Sequence, residues 1–155
     1  MPNYGKQFEV KFKQDWLKSF PESFLLRLND QVSGYKYTSS NICDFIGYTD
    51  GKLYLLECKS HAGASLPFSD VPQYDRLKRY VGLTGIRVGV IVWLYDKDKC
   101  FYVPVKTITK LMKEEQKSVG IRNLDNDEIK EIPSVKKRVF MDSDYSVLRD
   151  LPEGW

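Results

Sequence analysis

Three charged residues, Asp44, Glu57 and Lys59, have types and spacing that could hold a divalent cation with a lysine beside it. They lie at the ends of one stretch, CDFIGYTDGKLYLLECK, residues 43–59. Asp50-Gly51 at its centre is a strong type I′ hairpin signal between runs rich in aromatic and aliphatic residues. With these two as the loop, Thr49 faces Lys52, Asp44 faces Glu57 and Cys43 faces Cys58. Opposed residues share a face with Cβ atoms roughly 4.5–5.5 Å apart, and Lys59, two residues beyond Glu57, shares it too. Two facing carboxylates repel, and burial between Ile46 and Leu55 raises the cost. A divalent cation relieves it; oxygen ligands suit Mg²⁺, with Mn²⁺ as a substitute, at roughly 2.0–2.1 Å. The alternative is a solvent-facing edge with unrelated charges. Against it, Ile46, Tyr48, Leu53 and Leu55 on one face and Phe45, Tyr54 and Leu56 on the other describe a strand covered on both sides. A one-residue slip of register would move Asp44 off the Glu57 face.

The elements that must hold this hairpin can be read from periodicity. Residues 3–20 read as an amphipathic helix capped by Asn3, with Phe8, Phe12, Trp16, Leu17 and Phe20 along one stripe and Pro21 as its end. Glu9 sits at the stripe's boundary, where periodicity alone makes it a partner for Lys13. Residues 23–28 predict a first strand. The helix from Asp70 to Gly82 is marked by a capping-box spacing to Gln73, and it places Gln73, Arg76 and Tyr80 on one side. Ile86–Tyr95 is apolar enough to be a central strand. Lys99–Val103 is its hairpin partner, with Pro104 suited to an edge. Residues 107–117 predict another helix. After Ser118 the pattern fades into an acidic loop at 121–132, a short strand at 138–141 and a short helix at 145–151. The order gives an α/β fold with a mixed β-sheet flanked by helices, the link from the Glu57 strand to Ile86 being a right-handed parallel crossover.

The 155 residues suit one domain spanning residues 1–155. No apolar run approaches a membrane span, no signal-peptide layout opens the chain, and three cysteines without CxxC spacing suggest free thiols in a reducing, cytoplasmic setting. The net charge of +3 is unevenly spread, with ten basic against five acidic residues in 51–110. That surplus beside the hairpin hints at an anionic partner. Tyr35-Lys36-Tyr37-Thr38-Ser39-Ser40, just before Asp44, has the aromatics to stack on bases, and Lys36, Ser39 and Ser40 to hold phosphates. Gln73 and Arg76 are further DNA-contact candidates. His61 could be a ligand, a base or a phosphate contact, and a solvated loop histidine is the more common case.

Helix, three strands, helix, strand, with Asp44 on the second strand and Glu57-Cys58-Lys59 on the third, resembles the PD-(D/E)xK nuclease superfamily and its restriction-endonuclease-like αβββαβ core. Gly5 with Phe8-Glu9, Ser39-Ser40 before Asp44-Phe45-Ile46-Gly47, Ser65-Leu66-Pro67, and the Phe101–Pro104 step resemble the RecU-type Holliday junction resolvases over about residues 4–105. The resemblance implies a Mg²⁺-dependent endonuclease resolving branched DNA by paired symmetric nicks in recombination and repair. It implies a homodimer, a phage setting in a bacterial host, and a first-helix carboxylate, Glu9, joining Asp44 and Glu57 at the metal. Phe12, Trp16 and Phe20, or the edge near Phe101–Pro104, are candidate dimer contacts. The connector 29–41 is shorter than the family's projecting segment, and Pro72-Gln73-Tyr74 stands where the family has His-Gln. A duplex-cutting restriction or repair nuclease and a catalytically silent DNA-binding module are the alternatives.

Overall fold

The computed structural model describes residues 3–28 and 41–155. Helix α1 (Tyr4–Ser19) begins where the Asn3 side chain accepts from the Lys6 N–H. Strands β1 (Phe24–Arg27), β2 (Phe45–Thr49) and β3 (Lys52–His61) follow, then β4 (Ser65–Pro67) and the single-turn helix α2 (Tyr74–Leu77). Strands β5 (Ile86–Leu94) and β6 (Lys99–Pro104) lead into α3 (Val105–Lys113). The short strands β7 (Ser118–Gly120), β8 (Lys130–Glu131), β9 (Ser134–Lys136) and β10 (Met141–Ser143) complete the chain, with a 3₁₀ helix at Tyr145–Asp150. Among the described residues the main sheet runs β1-β2-β3-β5-β6-β8, mixed because β3 and β5 are parallel and the other pairs antiparallel.

Alternation along the strands divides the core. Tyr54, Leu56 and Cys58 of β3 and Ile91 and Trp93 of β5 face α1, whose Phe8, Phe12 and Trp16 pack on them under Tyr145 and Leu148. The opposite residues, Leu55, Val88, Val90, Val92 and Leu94, face α2, α3 and the β4–β7 ribbon. Gly89 is needed on β5 because a Cβ there would fall 2.3 Å from the Tyr102 ring. The C-terminal residues are tied back by charge. Arg87 donates to the Leu151 carbonyl at 2.7 Å and the Pro152 carbonyl at 3.1 Å. Asp15 accepts from Lys11 Nζ at 2.7 Å and from the Ser143 N–H at 3.0 Å.

Several expectations change. Residues 68–80 form two 3₁₀ turns (Phe68–Asp70, Lys78–Tyr80) around α2 rather than one helix. Pro72 lacks the N–H that would continue the first turn, and Asp70 points at His61 instead of capping. β6 is no edge where β8 pairs with Phe101 and Tyr102. Phe12, Trp16, Phe20 and Phe101 are all buried in the core of this chain, so they offer no surplus apolar surface for a second subunit. The exposed large apolar side chains lie elsewhere, Phe24, Leu26 and Tyr48 among them.

Candidate metal and DNA site

The hairpin forms in the expected register. Asp50 and Gly51 both take positive φ, +52° and +75°, as a primed two-residue turn requires. Thr49 pairs with Lys52 and Phe45 with Leu56. Asp44 lies one residue before β2. Its carbonyl accepts from Leu28 N at 2.8 Å, which ties it to β1. Its Oδ2 accepts from the Cys58 N–H at 2.9 Å, which turns the carboxylate toward the far end of β3.

Glu57 is 2% exposed. Burial, with the Asp44 carboxylate beside it adding to the effect, pushes its carboxyl up to about 9, while Lys59 pulls the other way. Lys59 Nζ stands 3.5 Å from Glu57 Oε1. Glu57 Oε2 is buried and has no hydrogen-bond partner. With its carboxyl raised, Glu57 meets Asp44 through a shared proton, and a cation that takes the proton's place would satisfy both carboxylates. Two adjacent carboxylates are a donor set that suits Mg²⁺, which is commonly held by one or two carboxylates and keeps waters in its remaining positions. The three cysteines are free and buried, so none offers a disulfide or an accessible thiol.

The structure brings Asp44, Glu57 and Lys59 together. Glu9 is engaged by Arg27 of β1, whose Nε and Nη2 donate to Glu9 Oε2 at 2.9 and 2.7 Å. Among the described residues no group of three or more His, Cys, Asp or Glu side chains is arranged to hold a metal. Gln73 precedes α2 with its Oε1 buried and without a hydrogen-bond partner. Arg76 donates from Nη1 to the Asn41 carbonyl at 3.1 Å. Lys36, Ser39 and Ser40 lie outside the described residues. Sequence reasoning missed Arg27, which carries no local signal for its pairing with Glu9, eighteen residues away. His61 ends β3 on the face it shares with Glu57 and Lys59.

Compared with known proteins, the chain matches the family model for recombination protein U (RecU) over residues 26–143, more than half its length. No curated protein matches it. The mixed sheet between helices is consistent with a restriction-endonuclease-like fold.

Proposed function

The chain belongs to the recombination protein U family, and on that premise we propose that it is a metal-dependent endonuclease resolving four-way DNA junctions by paired nicks. The observation that carries the metal assignment is the partnerless buried Oε2 of Glu57 beside the Asp44 carboxylate. Asp44 and Glu57 would hold Mg²⁺, or Mn²⁺ in its place, which would supply Lewis acidity toward the scissile phosphate and a more acidic water. Lys59 sets its ammonium beside Glu57, where negative charge builds on the phosphoryl oxygens during attack. Glu9 is a further ligand in this proposal, and that role requires it to exchange Arg27 for the metal. Lys36, Ser39, Ser40, Gln73 and Arg76 are proposed to hold the DNA.

A junction has two strands to nick and each chain carries one Asp44–Glu57–Lys59 set. Two sites on a two-fold axis then imply a homodimer. Phe24, Leu26 and Tyr48, on neighbouring strands at the open β1 edge, form the apolar face proposed for the second copy. No helix among the described residues is long and apolar enough to cross a membrane, and a cytoplasmic nuclease, of phage or cellular origin, is the setting proposed.

The test incubates the protein with four-way junctions and linear duplexes, with and without Mg²⁺. Symmetric nicks confined to junctions and dependent on metal support the proposal. Equal cutting of both DNAs points to a duplex nuclease. Binding without cutting points to a silent module.

A further inference from the structure

β2 begins at Phe45, opposite Leu56, so β3 runs on from Glu57 to His61 with β5 as its ladder partner among the described residues. Along this overhang Glu57, Lys59 and His61 alternate onto one face and pair in register with Val90, Val92 and Leu94 of β5. Two residues of strand advance about 6.6 Å, close to the spacing of successive phosphates along one DNA strand. A backbone with its scissile phosphate at Glu57 and Lys59 therefore brings a neighbouring phosphate to His61.

The His61 ring at the end of this row has an acceptor beside each nitrogen. Its Nδ1 lies 2.6 Å from the Ala62 carbonyl oxygen and its Nε2 lies 3.3 Å from Asp70 Oδ2. Which ring nitrogen donates depends on the tautomer, and either can offer an N–H to a phosphate oxygen. Asp70 ends the 3₁₀ turn Phe68–Asp70, which is anchored by the buried Phe68 and Val71. The His61 and Asp70 side chains are 34% and 48% exposed. A contact this open to solvent is held weakly, and a released Asp70 is readily solvated. The nearby Asp96 carboxylate is occupied by the Gly63 N–H at 2.7 Å. Lys59 is paired with Glu57 and keeps its own place in the row.

We propose that His61 contacts the DNA phosphate next to the scissile one, and that Asp70 occupies this position at Nε2 until DNA displaces it. His61 is then a positioning residue that sets the strand's register over Glu57 and Lys59, and Asp70 is a built-in competitor. This inference rests on the endonuclease reading above.

The test measures binding of metal-free protein to junction DNA by fluorescence anisotropy, and turnover with Mg²⁺ at saturating DNA. His61→Ala should weaken binding by a factor on the order of 5, as loss of one phosphate contact does. Turnover at saturation should fall as well, because the scissile phosphate loses its register over Glu57 and Lys59. Asp70→Asn should tighten binding by roughly twofold to threefold, since it removes the competing charge while keeping the side chain's shape. Single methylphosphonates scanned along the strand should cancel the His61→Ala penalty at one position, adjacent to the mapped nick. An equal penalty on every modified DNA, no penalty at all, or Asp70→Asn weakening binding like His61→Ala would overturn the proposal and leave the pair as a tie for the 62–67 loop. If the wild-type protein binds junctions but never cuts them, the endonuclease reading fails while the methylphosphonate scan still decides the His61 contact.

Discussion

Asp15 and Glu57 are both 2% exposed, and their surroundings differ in a way that separates a structural carboxylate from a functional one. Asp15 accepts from Lys11 and from the Ser143 N–H, and Lys11 reaches on to Asp142 at 2.6 Å. Its charge is met on each side and the bonds join α1 to β10. Glu57 faces another carboxylate, has one lysine at 3.5 Å, and leaves an oxygen with no partner. A chain gains nothing in its own stability from that arrangement. Asp15 staples the fold, whereas Glu57 is the carboxylate proposed to hold the metal.

The sharpest way to break this comparison is to remove charge at the Glu57 end. Asp44→Asn and Glu57→Gln should each lower cleavage by more than about 10³-fold. Junction binding should hold or strengthen, because each variant loses a negative charge facing phosphate. Gel-based cleavage and binding assays check both, and cleavage surviving in either variant removes that residue from the metal site. Lys59→Ala should cost turnover a factor on the order of 10²–10³ with little change in metal affinity. If calorimetry shows metal affinity collapsing while single-turnover rate at saturating metal survives, Lys59 acts on the fold.

At the other end, Asp15→Ala should cost about 2–3 kcal/mol, because Lys11 and the Ser143 N–H lose an acceptor they share. The melting temperature should drop by roughly 5–10 °C, with cleavage per folded molecule unchanged. A variant that melts like wild type would show Asp15 to be dispensable.

A subtler difference lies in pH. The Glu57 carboxyl is raised to about 9 in the fold, against about 4.3 in an unfolded chain. Between those values the native state binds more protons than the unfolded one, so metal-free stability should fall as pH rises from about 5 to 9. Glu57→Gln should flatten that slope, and Mg²⁺ should offset the loss in wild type. Denaturant melts at three pH values test this, and an unchanged slope in Glu57→Gln assigns the dependence to another group.

Much of the Glu57 region was legible in the sequence and little of the Asp15 region was. The hairpin is written locally. Asp50-Gly51 takes the positive φ values of a primed turn, and period-two alternation then fixes which residues face one another. The central β5 followed from its apolar length, and the parallel β3–β5 pairing from handedness. Contacts distant in sequence were not legible, because short polar elements carry no pattern until a partner meets them. Asp15 with Ser143 and Arg87 with Leu151 are of this kind, as is Arg27 with Glu9 on the site side. The break at residues 68–80 turned on Asp70 choosing His61 over a helix N-terminus. The aromatic stripe of α1 looked larger than one sheet face could use until Tyr145 and Leu148 were found closing over it.

The central claim, that Asp44 and Glu57 form a metal site left incomplete by the chain itself, is tested most directly by titrating Mg²⁺ into metal-free protein near pH 7. Calorimetry in buffers of different ionisation enthalpy reads the protons released. With the Glu57 carboxyl raised to about 9, metal binding should expel about one proton per ion. Glu57→Gln should bind far more weakly and release none. Equal Mg²⁺ affinity in wild type and Glu57→Gln, or binding without proton release, would contradict the account.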